Sequence, residues 1–249
     1  MGEPVCLRID AEGIAHLQLL GDDAGNLLSP AFVAAFGGAL DQLQTDGHIR
    51  VCVLSGGSEV FCGGADRETL LRVCDGATSV SELQLPERLL DTPVPIIAAM
   101  EGHAVGGGLA LAAACDLVVA ARESRYGAVF MNMGFTPGMG ATVLLPEFLG
   151  PYVADEAMYT GKLYRGAELA RKGTRINAIV PRADVMSTAM ELAQRIAEKG
   201  TQSIRLLKTA LAARRRQMLG VAREQEDVMH RVCFALPETR RAIEAEYAA

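Results

Sequence analysis

Two glycine-rich turns, each of which follows an apolar run, constrain the fold of this chain more than any other feature. The first turn (61–66, FCGGAD) follows the run 51–54, and the second (102–110, GHAVGGGLA) follows the run 95–100. Short apolar runs bounded by glycine predict buried strands. Glycine allows positive φ and close approach of the backbone to a ligand. One such turn is usually simple punctuation, but two at equivalent positions can aim two main-chain N–H groups at one carbonyl oxygen, as in an oxyanion hole.

Composition excludes several classes of function. The chain has 249 residues, half of them apolar, which fits one large domain or a domain with a helical appendage. A net charge of −6 argues against general nucleic-acid binding, which needs a basic face. No apolar stretch is long and uninterrupted enough to span a bilayer. Six scattered cysteines without C-x-x-C spacing, and no signal-peptide pattern, predict a reduced cytoplasmic protein.

Strand, turn and helix patterns alternate along the chain, which predicts the α/β class. A helix is expected to start at Ser29-Pro30, with Ser29 as N-cap and Pro30 in the first turn. From residue 154 onward the pattern is mostly helical. Strands are predicted at 5–9, 15–19, 51–54, 96–100, 117–121 and 178–180, and later helices at 80–91, 109–114, 154–160, 166–172, 184–198, 203–217, 221–234 and 238–247.

The two turns belong to a longer series of motifs. They are FCGGAD (61–66), AAMEGHAVGGG (98–108), CDL (115–117), GFTPGMGA (134–141), and TG (160–161) followed by AELA (167–170). In this order and spacing they resemble the crotonase (enoyl-CoA hydratase/isomerase) superfamily over almost the whole chain. The resemblance implies a crotonase-like spiral of β-β-α units over 1–185 and a helical C-terminal trimerisation region over 186–249.

The resemblance also implies a chemistry. Substrates would be thioesters carried on coenzyme A or an acyl carrier protein, and the N–H groups of Ala65 and Gly107 would hold the thioester oxygen. Each such donor can contribute roughly 3–4 kcal/mol to a developing enolate. No metal and no cofactor beyond the thioester carrier is expected, and the assembly would be a homotrimer or a dimer of trimers.

Two departures from the superfamily narrow the reaction. Its hydratases handle water with two glutamates, whose positions here are occupied by Ala110 and Phe130. Neither side chain can take a proton, so hydration by that pair is disfavoured. The segments 130–142 and 226–234 instead resemble the decarboxylating crotonase homologues of polyketide β-branching cassettes. Those proteins convert a 3-methylglutaconyl thioester on a carrier protein to a 3-methylcrotonyl-type thioester and CO₂.

The subgroup resemblance points to particular side chains. His230 matches the functional C-terminal histidine of this subgroup. A lone histidine in a helix is often a core residue, but an imidazole has a pKa near working pH, which suits protonation of a dienolate. The early lysine of the subgroup is missing, since every lysine here lies at 162 or later. Arg67, Arg72 and Arg88 lie in the matching region, and a guanidinium suits carboxylates, although each is by default on a solvated helix face. Of the three we choose Arg72, which is close to Leu70 and Leu71, to pair with the distal carboxylate, and we expect Phe130 and Asn132 to contact the substrate.

Other interpretations remain open at this point. The chain can be a hydratase or isomerase with relocated acid–base groups, or a non-catalytic homologue that binds a carrier protein. A basic stretch at 205–216 is by default a solvated face. It can also serve recognition of an acidic carrier protein or of nucleotide phosphates.

Overall fold

Two sheets and ten α-helices make up the part of the chain that the computed structural model describes, residues 3–21 and 25–247. The strands are β1 (Val5–Ile9), β2 (Ile14–Leu19), β3 (Val51–Ser55), β4 (Val60–Cys62), β5 (Ile96–Met100), β6 (His103–Val105), β7 (Leu117–Ala121), β8 (Arg125–Gly127), β9 (Leu163–Arg165) and β10 (Ala178–Val180). The helices are α1 (Pro30–Thr45), α2 (Arg67–Cys74), α3 (Leu85–Asp91), α4 (Gly107–Ala114), α5 (Ala141–Leu149), α6 (Pro151–Thr160), α7 (Gly166–Arg171), α8 (Val185–Ala197), α9 (Thr201–Cys233) and α10 (Pro237–Glu246).

From β3 to β8, successive strands alternate between the two sheets. The larger sheet has the strand order β1-β2-β3-β5-β7-β10 and is parallel except for the β1/β2 pair. The smaller sheet has the order β4-β6-β8-β9, with an antiparallel β8/β9 pair. Successive pairs β3–β4, β5–β6 and β7–β8 each place one strand in each sheet before the chain becomes helical. This arrangement confirms the predicted α/β spiral of β-β-α units.

The core lies on both faces of the larger sheet. One face packs against α1, α3, α4 and α5, with Phe32, Phe36 and Leu40 buried from the first of these helices. Ser29 accepts a hydrogen bond from the Phe32 N–H, so the predicted N-cap is confirmed. The other face packs against α8 through Val185, Ala189 and its later alanines. Helix α8 therefore completes the layered core, although the predicted boundary at residue 185 assigned it to the C-terminal region.

Three local predictions differ from the structure. The four short strands of the smaller sheet were not predicted. The helix predicted over 80–91 is a 3₁₀ turn, Val80–Leu83, followed by α3, because Gln84 takes a left-handed φ of +40°. The helices predicted at 203–217 and 221–234 are one continuous helix, α9. No helix of the described ranges is both long and apolar enough to cross a membrane.

Candidate active site

The two glycine-rich turns lie against each other at the ends of β4 and β6. Gly64 has a φ of +90° and Gly106 a φ of +54°, so each residue before a predicted amide donor occupies a region that favours glycine. A Cβ built on Gly64 would lie only 3.4 Å from the Gly107 nitrogen. The sequence prediction that both turns adopt positive φ and meet at one place is confirmed.

The amides that follow these glycines are available to a ligand. Within the described residues, neither the Ala65 N–H nor the Gly107 N–H donates to a protein acceptor. Gly107 is also the first residue of α4, so its N–H lies at the positive end of a helix dipole. Two unpaired donors beside each other form an environment in which a developing negative charge on oxygen is stabilised.

A narrow, largely apolar cavity of about 70 Å³ adjoins the two turns. It brings together Ala65, Gly107, Phe130 and His230, four of the six site residues predicted from sequence. None of the described residues that line it is an aspartate, glutamate, lysine or arginine. The full lining is Leu28, Gly63, Gly64, Ala65, Thr69, Leu70, Val73, Thr78, Ser79, Val80, Leu83, Gly106, Gly107, Val129, Phe130, Met133, Phe135, Gly138, Met139, His230 and Tyr247.

His230 lies in the wall of this cavity and is held by a backbone carbonyl. Its Nε2 is 3.0 Å from the Thr136 oxygen, and the side chain is buried. Burial lowers the pKa of His230, partly offset by the hydrogen bonds to the backbone at Thr136 and Pro137 and by the Glu226 charge. The neutral ring must donate its Nε2–H to the Thr136 carbonyl, which leaves Nδ1 as the acceptor.

The neighbours of His230 fix its orientation. The ring of Phe234 packs edge-on against it at a centroid distance of 5.4 Å. A Cβ built on Gly138 would come within 2.6 Å of His230 Cε1. One turn earlier in α9, the buried Glu226 accepts hydrogen bonds from the Gly140 and Thr142 N–H groups at the start of α5. The loop before α5 is thus bonded to two successive turns of α9.

Two predicted substrate-binding residues lie outside the cavity. Arg72 is exposed in the last turn of α2 and lines an adjoining groove with Glu82. This groove shares Thr69 with the cavity, but Arg72 itself is not in the cavity lining. Asn132 is also exposed and packs beside Gly161. The structure therefore offers no arginine in the cavity lining for the distal carboxylate.

The basic stretch at 205–216 is used mainly inside the protein. Lys208 is buried and pairs with Asp116 at 2.7 Å. Arg215 donates to three carbonyls at the C-terminal end of α4. Arg205 donates to the Asp46 carbonyl, and Arg216 lies 3.4 Å from Asp91. These contacts join α9 to the core and leave little of the stretch as a continuous cationic surface.

Two cavity residues were missed by the sequence analysis. Tyr247, after α10, donates its hydroxyl to the Ala65 carbonyl at 2.6 Å. Burial, with smaller contributions from the Asp66 and Glu246 charges, raises the pKa of Tyr247 to about 12, so the phenol stays protonated. Thr69 lies four residues after Ala65 in α2, and this spacing is the one signal that places it near the site. Nothing local in the sequence links position 247 to position 65.

Comparison with known proteins agrees with this geometry. The family model for enoyl-CoA hydratase/isomerase matches residues 10–247. The chain belongs to this family, the crotonases. It is 39% identical over 209 residues to the bacillaene synthase decarboxylase PksI of Bacillus subtilis, covering 84% of each chain.

Solved structures extend the likeness. A chain from a dehydratase/decarboxylase enzyme couple involved in polyketide β-branching superposes with a TM-score of 0.94 at 35% identity, covering 99% of this chain and all of that one. The ECH2 decarboxylase domain of CurF from Lyngbya majuscula gives 0.91 at 35% identity, covering 98% of this chain and all of the domain. The predicted resemblance to the decarboxylating crotonases is therefore confirmed.

Proposed function

We propose that this crotonase-family enzyme is a lyase that decarboxylates a 3-methylglutaconyl-type thioester in polyketide β-branching, with the acyl chain carried on an acyl carrier protein. The observation that carries the proposal is a cavity whose lining, as far as the chain is described, has two unpaired amides and no carboxylate. Similarity to PksI and to the CurF decarboxylase domain supports the same reaction.

The chemistry follows from the electron flow. As the bond to the carboxylate carbon breaks, its electron pair moves through the conjugated chain onto the thioester oxygen, and CO₂ leaves. The amides of Ala65 and Gly107 stabilise that oxygen, a type of contact worth about 3–4 kcal/mol for each donor. The apolar lining, including Phe130, excludes groups that would activate water.

A proton must then reach carbon. We assign its delivery to His230, whose Nε2–H is held by the Thr136 carbonyl so that proton transfer falls to Nδ1. The same carbonyl stabilises the ring while it carries the extra proton. Because the neutral ring has no proton on Nδ1, Nδ1 first takes one from solvent, then gives it to carbon, and the ring returns to its neutral form. No other imidazole is found among the described residues of the lining.

The direct test is incubation with carrier protein loaded with a 3-methylglutaconyl group, followed by intact-mass analysis. Loss of CO₂ is the expected result. Gain or loss of water would identify a hydratase with relocated acid–base groups, and an unchanged thioester with retained binding would identify a non-catalytic homologue. The coenzyme A thioester is the matched comparison: a higher kcat/KM for the carrier-protein form is expected.

We also propose a homotrimer formed through the C-terminal helices. Helix α9 exposes six aliphatic side chains, each about 60% accessible: Leu206, Leu207, Leu211, Val221, Val228 and Val232. Such a surface is typical of an association site. Light scattering is expected to give three protomers, and Leu207→Lys with Leu211→Lys is expected to give monomers; a monomeric parent protein would contradict the proposal.

The six free thiols fit the further proposal of a reducing, cytoplasmic location.

A further inference from the structure

The hydroxyl of Thr69 is a buried polar group without a partner, and it belongs to the cavity lining. The residue is 8% exposed, and its Oγ1 makes no hydrogen bond within the described chain. A buried hydroxyl that gives up water without gaining a partner costs free energy. Such a group in a cavity wall points to a ligand that completes it.

Other helical threonines show what Thr69 would ordinarily do. Thr45, Thr92, Thr160 and Thr209 each donate to the carbonyl four residues earlier, at distances between 2.5 and 2.9 Å. This local bond is the usual choice for threonine in a helix. Thr69 lies instead in the first turn of α2, where the residue four positions earlier is outside the helix. The first-turn threonines Thr142 and Thr239 bond to Glu226 and to the Gly134 carbonyl, whereas Thr69 Oγ1 bonds to no described residue.

The two carbonyls within reach of Thr69 are already used. The Ala65 carbonyl, four residues earlier, accepts the Tyr247 hydroxyl at 2.6 Å. The Asp66 carbonyl, three residues earlier, accepts the Leu70 N–H at 3.2 Å. Tyr247, from the C-terminal end of the chain, thus occupies the Ala65 carbonyl, and the Thr69 hydroxyl bonds to neither carbonyl.

We propose that Thr69 Oγ1–H binds the carboxylate of the acyl chain, the group that leaves as CO₂, and that Tyr247 is the positioning residue that keeps this hydroxyl free. The inference rests on the proposed decarboxylation. Other side-chain hydroxyls of the lining are engaged: Thr78 donates to Glu82, and Ser79 bonds to Ser81 and Glu82. Thr69 lies in the first turn of α2, directly after the turn that carries Ala65, so one short segment would contact both ends of the acyl chain.

A single neutral donor suits a group that loses its charge. The carboxylate is anionic before the bond breaks, and the departing CO₂ is neutral, so the hydrogen bond weakens along the reaction. A guanidinium would stabilise the ground state more strongly and retard bond breaking. Thr69 therefore contributes mainly to substrate binding and orientation, and its loss should raise KM more than it lowers kcat.

The test compares Thr69→Val with Thr69→Ser in the full-length protein. The valine variant is expected to raise KM for the 3-methylglutaconyl thioester on the order of 10- to 100-fold, the range for a hydrogen bond to a charged group. The serine variant should restore most of this loss. Binding of the 3-methylcrotonyl thioester, which lacks the carboxylate, should be unchanged. Thr92→Val is the matched control, since that hydroxyl bonds to Arg88 outside the cavity, and it should leave KM unchanged.

Tyr247→Phe gives a second, coupled readout. Without the phenol, the Ala65 carbonyl is open to the Thr69 hydroxyl, so KM should rise, and adding Thr69→Val should raise it little further. Independent effects that multiply in the double variant would overturn the positioning role of Tyr247.

The failures of the two proposals can be told apart. If the parent protein releases CO₂ and Thr69→Val keeps its KM, the Thr69 assignment is wrong and the proposed function stands. If the parent releases no CO₂, the proposed function is wrong. The binding role of Thr69 is then decided by the dissociation constants of the 3-methylglutaconyl and 3-methylcrotonyl thioesters. If the ratio of these two constants is the same in the parent and in Thr69→Val, Thr69 does not bind the carboxylate.

Discussion

Removal of the Lys208 charge tests how α9 is fixed to the core. Its Nζ lies 2.7 and 2.9 Å from the two carboxylate oxygens of Asp116 and 3.2 Å from the Leu89 carbonyl, and the side chain is 2% exposed. Lys208→Met leaves the Asp116 carboxylate with the Ile96 N–H and with Arg215 at 3.8 Å. Breaking a buried ion pair by removing one partner costs about 3–5 kcal/mol. We expect the free energy of unfolding to fall by that amount.

Urea denaturation at a fixed protomer concentration measures this change. Lys199→Met is the matched control, because Lys199 is exposed and lies 3.5 Å from an exposed Glu198. It should change the free energy of unfolding by less than about 0.5 kcal/mol. Asp116→Asn combined with Lys208→Met should be less damaging than the sum of the single changes. A loss below about 1 kcal/mol for Lys208→Met would refute the view that this pair anchors the helix.

Three further predictions concern the site. The pKa of His230 is lowered in the folded protein, so at pH values below the ordinary value of 6.5 the unfolded state binds more protons than the folded state. The free energy of unfolding should therefore fall as the pH drops below about 6.5, and it should fall less in His230→Gln. Equal pH profiles for the parent and this variant would contradict the prediction. Gly106→Ala, at a φ of +54°, should lower kcat on the order of 100-fold by misdirecting one oxyanion donor, with unchanged circular dichroism as the control; a rate near that of the parent would argue against the oxyanion assignment. Gly138→Ala places a methyl group 2.6 Å from His230 Cε1 and should lower kcat/KM on the order of 100-fold, whereas Gly150→Ala, a control in open space, should affect stability rather than catalysis.

The parts of the fold that the sequence predicts are those with long, local patterns. The apolar strands of the larger sheet and the amphipathic α8 each carry enough residues for a period to be recognised. The strands Val60–Cys62 and His103–Val105 are three residues long and lie beside the glycine turns. A strand of three residues shows no period, and its identity depends on pairing with distant chain, so the smaller sheet is defined only by tertiary structure.

The same distinction applies to the site. The two glycine-rich turns are recognisable in the sequence because their signal is local, and the resemblance to the crotonases then assigned Ala65 and Gly107 within them; each follows a glycine of positive φ, at positions 64 and 106. Tyr247 reaches Ala65 across 182 positions of the chain, and no pattern in the sequence encodes that contact. Arg72 was chosen for its charge and for its position next to Leu70 and Leu71, whereas the face of α2 that meets the cavity is decided by packing.

The sequence predicted two helices, 203–217 and 221–234, with a break that includes Gly220, whereas the structure has one continuous helix through this residue. The helix continues through it from Lys208 to His230, about 33 Å at 1.5 Å per residue, so one rod connects the buried ion pair to the cavity wall. Gly220 is exposed, and a Cβ added there meets no atom within 4 Å. Gly220→Ala should therefore stabilise the protein by about 0.5–1 kcal/mol in urea denaturation and leave kcat unchanged. Destabilisation, or a fall in kcat, would mean that the helix bends at this residue in solution.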